Sequence, residues 1–212
     1  MLASSSVQTL PAAAEPVRNE SRRVLVLPGW QGSAPTHWQS RWEVAHGYAR
    51  VEQHDWLRPL RGDWIARLEE VLLQRTEPAV LVAHSLGCLL VAAWAAHSRN
   101  TQLVKAALLV APGDAEREEL RPILGSWCPV TLHKLPFRSM LVASHDDPYC
   151  TFSRAREFAN AWACEFVDYG LRGHINADSG LGDWTQGHEL LSQLGAEPGA
   201  CSAMSWKGQG NG

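Results

Sequence analysis

The amino-acid sequence predicts a three-layer α/β/α sandwich that forms a single domain. Short β-branched or apolar runs alternate with helical segments along the chain, and several of these runs are continuously apolar. Continuously apolar strands are typical of a mostly parallel sheet that helices cover on both faces. A length of 212 residues fits one domain better than two, and a hydrophobic content of 45% is enough for a sizeable core.

The individual elements follow in chain order from these runs. Short apolar stretches bounded by turn residues predict strands at 23–27, 51–56, 79–83, 104–110, 139–144 and 165–167. Helical spacing predicts helices at 36–45, 63–74, 86–98, 152–163 and 184–194, with Asp63 as the N-cap of the second. The segment 112–136 stays unassigned, although it is long enough to overhang a site above the sheet.

The two ends of the chain differ from the rest in composition. Residues 1–20 are rich in Ser, Ala and Pro and predict a flexible N-terminal arm, and residues 196–212 are Gly-rich and predict a flexible C-terminal tail. The folded domain is therefore expected to span 21–195. The N-terminal segment lacks a basic start followed by an apolar stretch, so no secretory signal is predicted.

Charge and cysteine content exclude several classes of partner. The net charge is −3 and no Lys/Arg run occurs, so neither nucleic acid nor an anionic membrane surface is expected as a partner. The five cysteines are widely spaced and contain no CxxC pair, which argues against a disulfide framework and a zinc site. Reduced thiols of this kind favour a cytoplasmic protein. The apolar stretch 79–96 contains His84, Ser85 and Gly87 at its centre, which favours a buried strand and helix over a membrane span.

The short sequence AHSLG contains the first candidate catalytic residue. It lies between a predicted strand and a predicted helix, which is the context that the nucleophile elbow G-x-S-x-G requires. Such a turn exposes the Oγ of Ser85 above the sheet, and the N-terminus of the following helix favours developing negative charge. The first Gly of the pattern is replaced by Ala83, the next smallest residue.

Two later loops contain the partners that a serine nucleophile needs. After the strand at 139–144 come Asp146, Asp147 and Pro148, in the position that the chain order Ser, Asp, His gives to the acid. We predict Asp147 as the acid, because Pro148 fixes the turn after it, although Asp146 remains an alternative. His174 follows the last predicted strand and is expected to act as the general base.

Other histidines are weaker candidates for the base. His84 and His145 each neighbour a predicted triad residue on a tight turn, so their side chains are expected to point away from the site. His188 lies on the last predicted helix and is expected to face solvent. The loop LPGWQGS after the first strand provides a backbone amide at Trp30, which together with the amide of Leu86 is expected to form an oxyanion hole. A purely structural role for the Trp30 ring is the alternative.

These motifs together resemble one known family. The segments LPGWQGSAPTHWQSRWE, AHSLGC, SHDDPYC and GHINADSGLGDW are similar to those of the retinoblastoma-binding-protein-9-like family of small serine α/β-hydrolases. The resemblance covers the chain from about residue 23 to 194. It implies an α/β-hydrolase fold with a reduced, mostly parallel sheet and no large cap domain. It also implies a triad that falls here on Ser85, Asp147 and His174.

The expected function is hydrolysis of a small ester or related acyl substrate through an acyl-enzyme. An aminopeptidase or amidase with the same triad is an alternative, as is a protein-binding regulatory role on a hydrolase scaffold. Trp38 and Trp42 share one face of a predicted helix and are candidates for the substrate pocket, although core packing is the favoured role. No metal-ligand spacing, G-x-G-x-x-G motif or P-loop occurs, so neither a metal nor a cofactor is expected.

Overall fold

A computed structural model describes residues 23–195 of the chain. Six parallel strands form one sheet in the order β2-β1-β3-β4-β5-β6. The strands are β1 (Val24–Leu27), β2 (Ala49–Arg50), β3 (Ala79–His84), β4 (Val104–Val110), β5 (Arg138–Ala143) and β6 (Glu165–Asp168). The helices are α1 (Trp38–His46), α2 (Arg61–Leu73), α3 (Leu86–His97), α4 (Arg121–Leu124), α5 (Phe152–Trp162) and α6 (Thr185–Gly195).

The two faces of the sheet have separate apolar cores, which confirms the three-layer arrangement. On one face, α2, α3 and α5 pack against alternate strand residues such as Leu81 and Leu109. On the other face, α1 and α6 pack against the intervening residues such as Val82 and Leu108. The central strands are covered on both sides, and this explains why β3 and β4 are almost continuously apolar.

Two of the predicted local features are wrong. The strand expected at 51–56 is only two residues long and lies earlier, at Ala49–Arg50. The amide of Val51 still donates to the carbonyl of Val26 (2.9 Å), after which the polar sequence leaves the sheet. Helix α2 begins at Arg61 and its N-cap, Leu60, makes no side-chain cap. Asp63 therefore lies inside the first turn, where its negative charge interacts favourably with the positive end of the helix dipole.

The segment 112–136 is helical only in short pieces. Two 3₁₀ turns, Glu118–Leu120 and Gly125–Trp127, flank the single turn of α4. The predicted arm at 1–20 and tail at 196–212 lie outside the described residues. Within residues 23–195, no helix is both long enough and apolar enough to cross a membrane.

Candidate active site

The turn between β3 and α3 has the geometry of a nucleophile elbow. Ser85 lies there with φ 55° and ψ −121°, a strained conformation for a residue with a side chain. Its amide donates to the carbonyl of Val110 at the end of β4 (3.0 Å), which fixes the turn on the neighbouring strand. Ala83 has no exposed surface, in keeping with a small residue at the first position of the motif.

Three glycines allow neighbouring loops to approach this turn closely. A Cβ atom at Gly87 would lie 2.3 Å from the carbonyl oxygen of Leu27, so only glycine fits between the elbow and β1. A Cβ at Gly29 would lie 2.7 Å from the Cβ of Ser85. A Cβ at Gly113 would lie 3.4 Å from the Oγ of Ser85. The loops that follow β1 and β4 are therefore in van der Waals reach of the serine.

Asp147 and His174 form a buried pair. The Nδ1–H of His174 donates to the carboxylate of Asp147, at 2.9 Å and 3.0 Å from its two oxygens. The side chain of His174 is only 8% exposed and that of Asp147 only 4%, so the pair is held away from water. The amide of Tyr149 also donates to this carboxylate (2.8 Å), which fixes its orientation.

The neighbouring Asp146 contacts a different set of groups. Its Oδ1 accepts from the Oγ of Ser144 (2.6 Å) and from the amide of Gly173 (2.8 Å). These hydrogen bonds, that of Ser144 first, lower the pKa of Asp146. Asp146 therefore joins the loop after β5 to the loop that carries His174, and the structure places Asp147, not Asp146, against the histidine.

The His174 loop is strained and is fixed at several points. Gly173 and Ile175 both have positive φ, at 54° and 46°. The Nε2–H of His84 donates to the carbonyl of His174 (2.9 Å), and the indole N–H of Trp38 donates to the carbonyl of Ile175 (2.8 Å). The elbow strand and α1 thus both hold the backbone on which the imidazole is mounted.

Two further histidines form a buried row with His174. The His84 ring lies 4.7 Å from that of His174 and 4.8 Å from that of His37, in edge-on contacts. Burial first, and the nearby His174 second, lower the pKa of His84 well below its usual range and that of His37 to about 4. Near neutral pH both imidazoles are therefore uncharged. The Nδ1 of His37 accepts from the amide of Gln39, and its buried Nε2 has no partner within residues 23–195.

A cavity of about 410 Å³ opens at the carboxyl ends of the strands. The loops after β1, β3, β4, β5 and β6 all contribute to it, and Ser85, His174, Trp30 and Leu86 are among its lining residues. Within residues 23–195 the Oγ of Ser85 and the amides of Trp30 and Leu86 make no hydrogen bond. The hydroxyl and both predicted oxyanion-hole amides therefore have no hydrogen-bond partner within these residues, and all three residues line the cavity. The indole of Trp30 donates to the carbonyl of Leu57 (3.1 Å).

Trp38 and Trp42 do not line the cavity, which corrects their candidacy as pocket residues. Each is 1% exposed, and the two rings lie 4.8 Å apart within the core between α1 and α6. Their indole N–H groups donate to backbone carbonyls, that of Trp42 to Asp183 (2.6 Å). Indole rings fill this core because each N–H finds an acceptor there.

Several cavity residues were not predicted from the sequence. They are apolar side chains of α3 and of the segment 112–136, together with Tyr149, whose ring lies 4.6 Å from that of His174: Leu89, Ala115, Leu120, Leu124 and Tyr149. The sequence indicated only that the segment 112–136 was long enough to overhang the site. Which of its leucines face inward depends on short helical turns that have no periodic pattern.

Two other histidines and a cysteine near the elbow are engaged elsewhere. His145 pairs with Asp168 (2.9 Å) and stacks on Phe152, and His188 bonds to the hydroxyl of Tyr48 (2.8 Å). Cys88 is fully buried, and that burial raises the pKa of its thiol well above the usual range. No group of three His, Cys, Asp or Glu side chains in the described part of the chain could hold a metal ion.

Comparison with known proteins gives one family. A family model described as "Serine hydrolase" matches residues 24–193, which is most of the chain. Among curated proteins, none matches the chain.

Solved structures give the same fold. A protein from Pectobacterium atrosepticum described as a YdeN-like hydrolase is 31% identical, with a TM-score of 0.72 over 81% of this chain and 89% of that chain. The ydeN gene product of B. subtilis is 21% identical, with a TM-score of 0.66 over 82% of this chain and 98% of that chain. Est1E from Butyrivibrio proteoclasticus, solved with ferulic acid bound, is 13% identical, with a TM-score of 0.65 over 85% of this chain and 93% of that chain. At these lower identities the last two show the α/β-hydrolase fold alone.

Proposed function

Because the chain belongs to the serine hydrolase family, we propose that it is a carboxylesterase-like enzyme that cleaves a small ester through Ser85, His174 and Asp147. The observation that carries this proposal is the buried Asp147–His174 pair beside a cavity that Ser85 also lines. The 31% identical protein described as a YdeN-like hydrolase agrees with a hydrolytic reaction.

In the proposed mechanism the Nε2 of His174 accepts the proton of Ser85 as the Oγ attacks the substrate carbonyl. Asp147 keeps the proton of His174 on Nδ1 and stabilises the imidazolium that forms. The amides of Trp30 and Leu86, which have no partner within residues 23–195, donate to the tetrahedral oxyanion. The imidazolium then protonates the leaving alcohol, and water hydrolyses the acyl-enzyme by the same route.

Active-site labelling tests this proposal. A fluorophosphonate probe is expected to label the wild type, and Ser85→Ala is expected to abolish labelling and to lower esterase kcat by roughly 10⁵-fold. Ser192→Ala, which changes an exposed serine on α6, serves as the matched control and is expected to label like the wild type. If the folded wild type is not labelled, or if Ser85→Ala is labelled at the same rate, the proposal is wrong.

A further inference from the structure

The cavity beside Ser85 has one apolar wall. It is formed by two leucines of α3 and by three side chains of the overhanging segment 112–136: Leu86, Leu89, Ala115, Leu120 and Leu124. All but Leu120 are buried, at 1% to 6% exposure. Such a wall favours an apolar ligand group, because contact removes hydrocarbon from water on both sides.

The part of the lining that belongs to the His174 loop is polar and carries a negative charge. It consists of the His174 loop with Asn176 and Asp178, together with the ring of Tyr149. Asp178 is exposed, and no cationic side chain of residues 23–195 lies within 4.0 Å of its carboxylate. Among the described residues that line this cavity, none is Lys or Arg.

A second depression of about 520 Å³ continues the polar side toward the surface. It shares Tyr149, His174, Asn176 and Asp178 with the first cavity, and it adds the charged Asp146 and Arg172 as well as the exposed Leu171. The guanidinium of Arg172 lies over the ring of Tyr169, 5.8 Å from its centroid, and is not paired with Asp178. The groove that leads away from His174 therefore has two carboxylates and one cation.

The chemistry of the proposed reaction assigns the two walls to the two parts of an ester. The group that His174 protonates is the leaving alcohol, so the alcohol must lie on the side of His174. The acyl group then lies on the other side of Ser85, against the leucines. From this we infer that the preferred substrates are esters of an apolar aliphatic acid whose alcohol is neutral or cationic. This inference rests on the proposed function and specifies its substrate class.

The same geometry disfavours substrates with an α-ammonium group on the acyl side. Among the described lining residues, the charged side chain is Asp178, which lies on the loop of the leaving-group wall. An ammonium placed against the leucine wall would lose water without gaining a partner, which costs free energy. The inference thus selects an esterase over an aminopeptidase for this site.

The acyl half is tested with two nitrophenyl esters that differ by one charge. For each ester, kcat/KM is divided by the rate constant of its spontaneous hydrolysis. The resulting value for 4-nitrophenyl butyrate is expected to exceed that for 4-nitrophenyl 2-aminobutyrate by at least about 30-fold. The second ester carries an ammonium group, for which the leucine wall offers no hydrogen-bond or charge partner. Leu124→Ala is expected to shift the preferred acyl chain from butyrate toward octanoate. Ile123→Ala, at an exposed neighbour that does not line the cavity, is expected to leave the profile unchanged.

Fluorophosphonate labelling separates the possible failures of this test. A preference for the amino ester, or a chain-length profile that Leu124→Ala leaves unchanged, overturns the inferred acyl site if wild type and variant are still labelled. In that case the hydrolase proposal itself stands. Loss of labelling in the folded wild type overturns both.

The leaving-group half is tested with butyrate esters of choline and of its neutral isostere, 3,3-dimethylbutanol. The wild type is expected to prefer the choline ester by about threefold in kcat/KM, since an exposed charge pair contributes modestly. Asp178→Asn is expected to remove this preference. Asp63→Asn, at an exposed carboxylate on α2, is expected to retain it. An unchanged preference in Asp178→Asn, or no preference in the wild type, rules out the role of Asp178.

Discussion

At the scale of single residues, two adjacent carboxylates have different partners. Asp147 faces the imidazole of His174, whereas Asp146 accepts from Ser144 and from the amide of Gly173. The sequence narrows the acid to this pair, and the turn at Pro148 favours Asp147. It does not show what Asp146 does, because that role depends on a loop 27 residues later that folds back against it.

Isosteric substitutions of the two aspartates are therefore expected to differ in effect. Asp147→Asn is expected to lower kcat by roughly 10³- to 10⁴-fold, because the amide stabilises the wrong tautomer of His174 and cannot balance its charge. Asp146→Asn keeps an oxygen acceptor for Gly173 and is expected to cost less than about tenfold. Steady-state assays on a chromogenic short-chain ester measure both. A larger loss at Asp146 than at Asp147 contradicts the assignment.

The histidine before the nucleophile shows a limit of residue-level prediction. The sequence sets His84 aside as the base because its side chain is expected to point away from the site, but its ring lies 4.7 Å from that of His174 and lines the same cavity. The structure shows that it instead donates to the backbone of His174, 90 positions later. This contact forms only because the end of β3 lies beside the loop that follows β6. No local sequence pattern near His84 could therefore have indicated it.

At the scale of elements, the sequence predicts the long buried strands and the longer helices well. Strand β4 (Val104–Val110) has its predicted bounds, because a fully covered central strand is a continuous apolar run. The edge strand β2 was predicted too long and too late, since an edge strand is half-exposed and has no such run. The sequence of the segment 112–136 predicts no element, because its turns are too short to show a period.

The elbow depends on close contact between β1 and the start of α3. Gly87→Ala places a methyl group 2.3 Å from the carbonyl of Leu27 and is expected to lower the free energy of unfolding by about 1–3 kcal/mol or more, since backbone must move. Gly62→Ala in α2 is the matched control: nothing lies within 4 Å of its added Cβ, so a gain of about 0.5–1 kcal/mol is expected. Urea unfolding measures both. Equal effects at the two positions would mean that the tight packing at Gly87 is absent.

At the scale of the whole molecule, parallel strands bring five separate loops to one end of the sheet. This rule places Ser85, Asp147 and His174 together from the sequence alone, because each follows a predicted strand. It gives no information on what the two helical layers contribute beneath the loops. The buried imidazole of His37, at the N-cap of α1, is such a contribution, and its lowered pKa links stability of the fold to pH.

The dependence of fold stability on pH can be tested at His37. Its pKa is about 4 in the folded protein, mainly through burial, against about 6.5 when unfolded. Below pH 6.5 the unfolded state therefore binds a proton that the folded state does not, so the contribution of His37 to stability falls as pH decreases toward 4. His37→Asn retains an acceptor for the amide of Gln39 and removes this titration.

Denaturant unfolding of both proteins at pH 7.5 and pH 4.5 gives the test. Between these values the wild type is expected to lose about 2 to 3 kcal/mol more than His37→Asn, the cost of a 2.5-unit depression over this range. If the substitution also weakens packing, the free energy of unfolding of the variant falls by the same amount at both pH values. The change in its free energy of unfolding between pH 7.5 and pH 4.5 is then unaffected. The pKa of His84 is lowered chiefly by burial, and this burial-driven depression is common to both proteins. Parallel pH dependences would show that His37 is solvated and titrates normally in the folded protein.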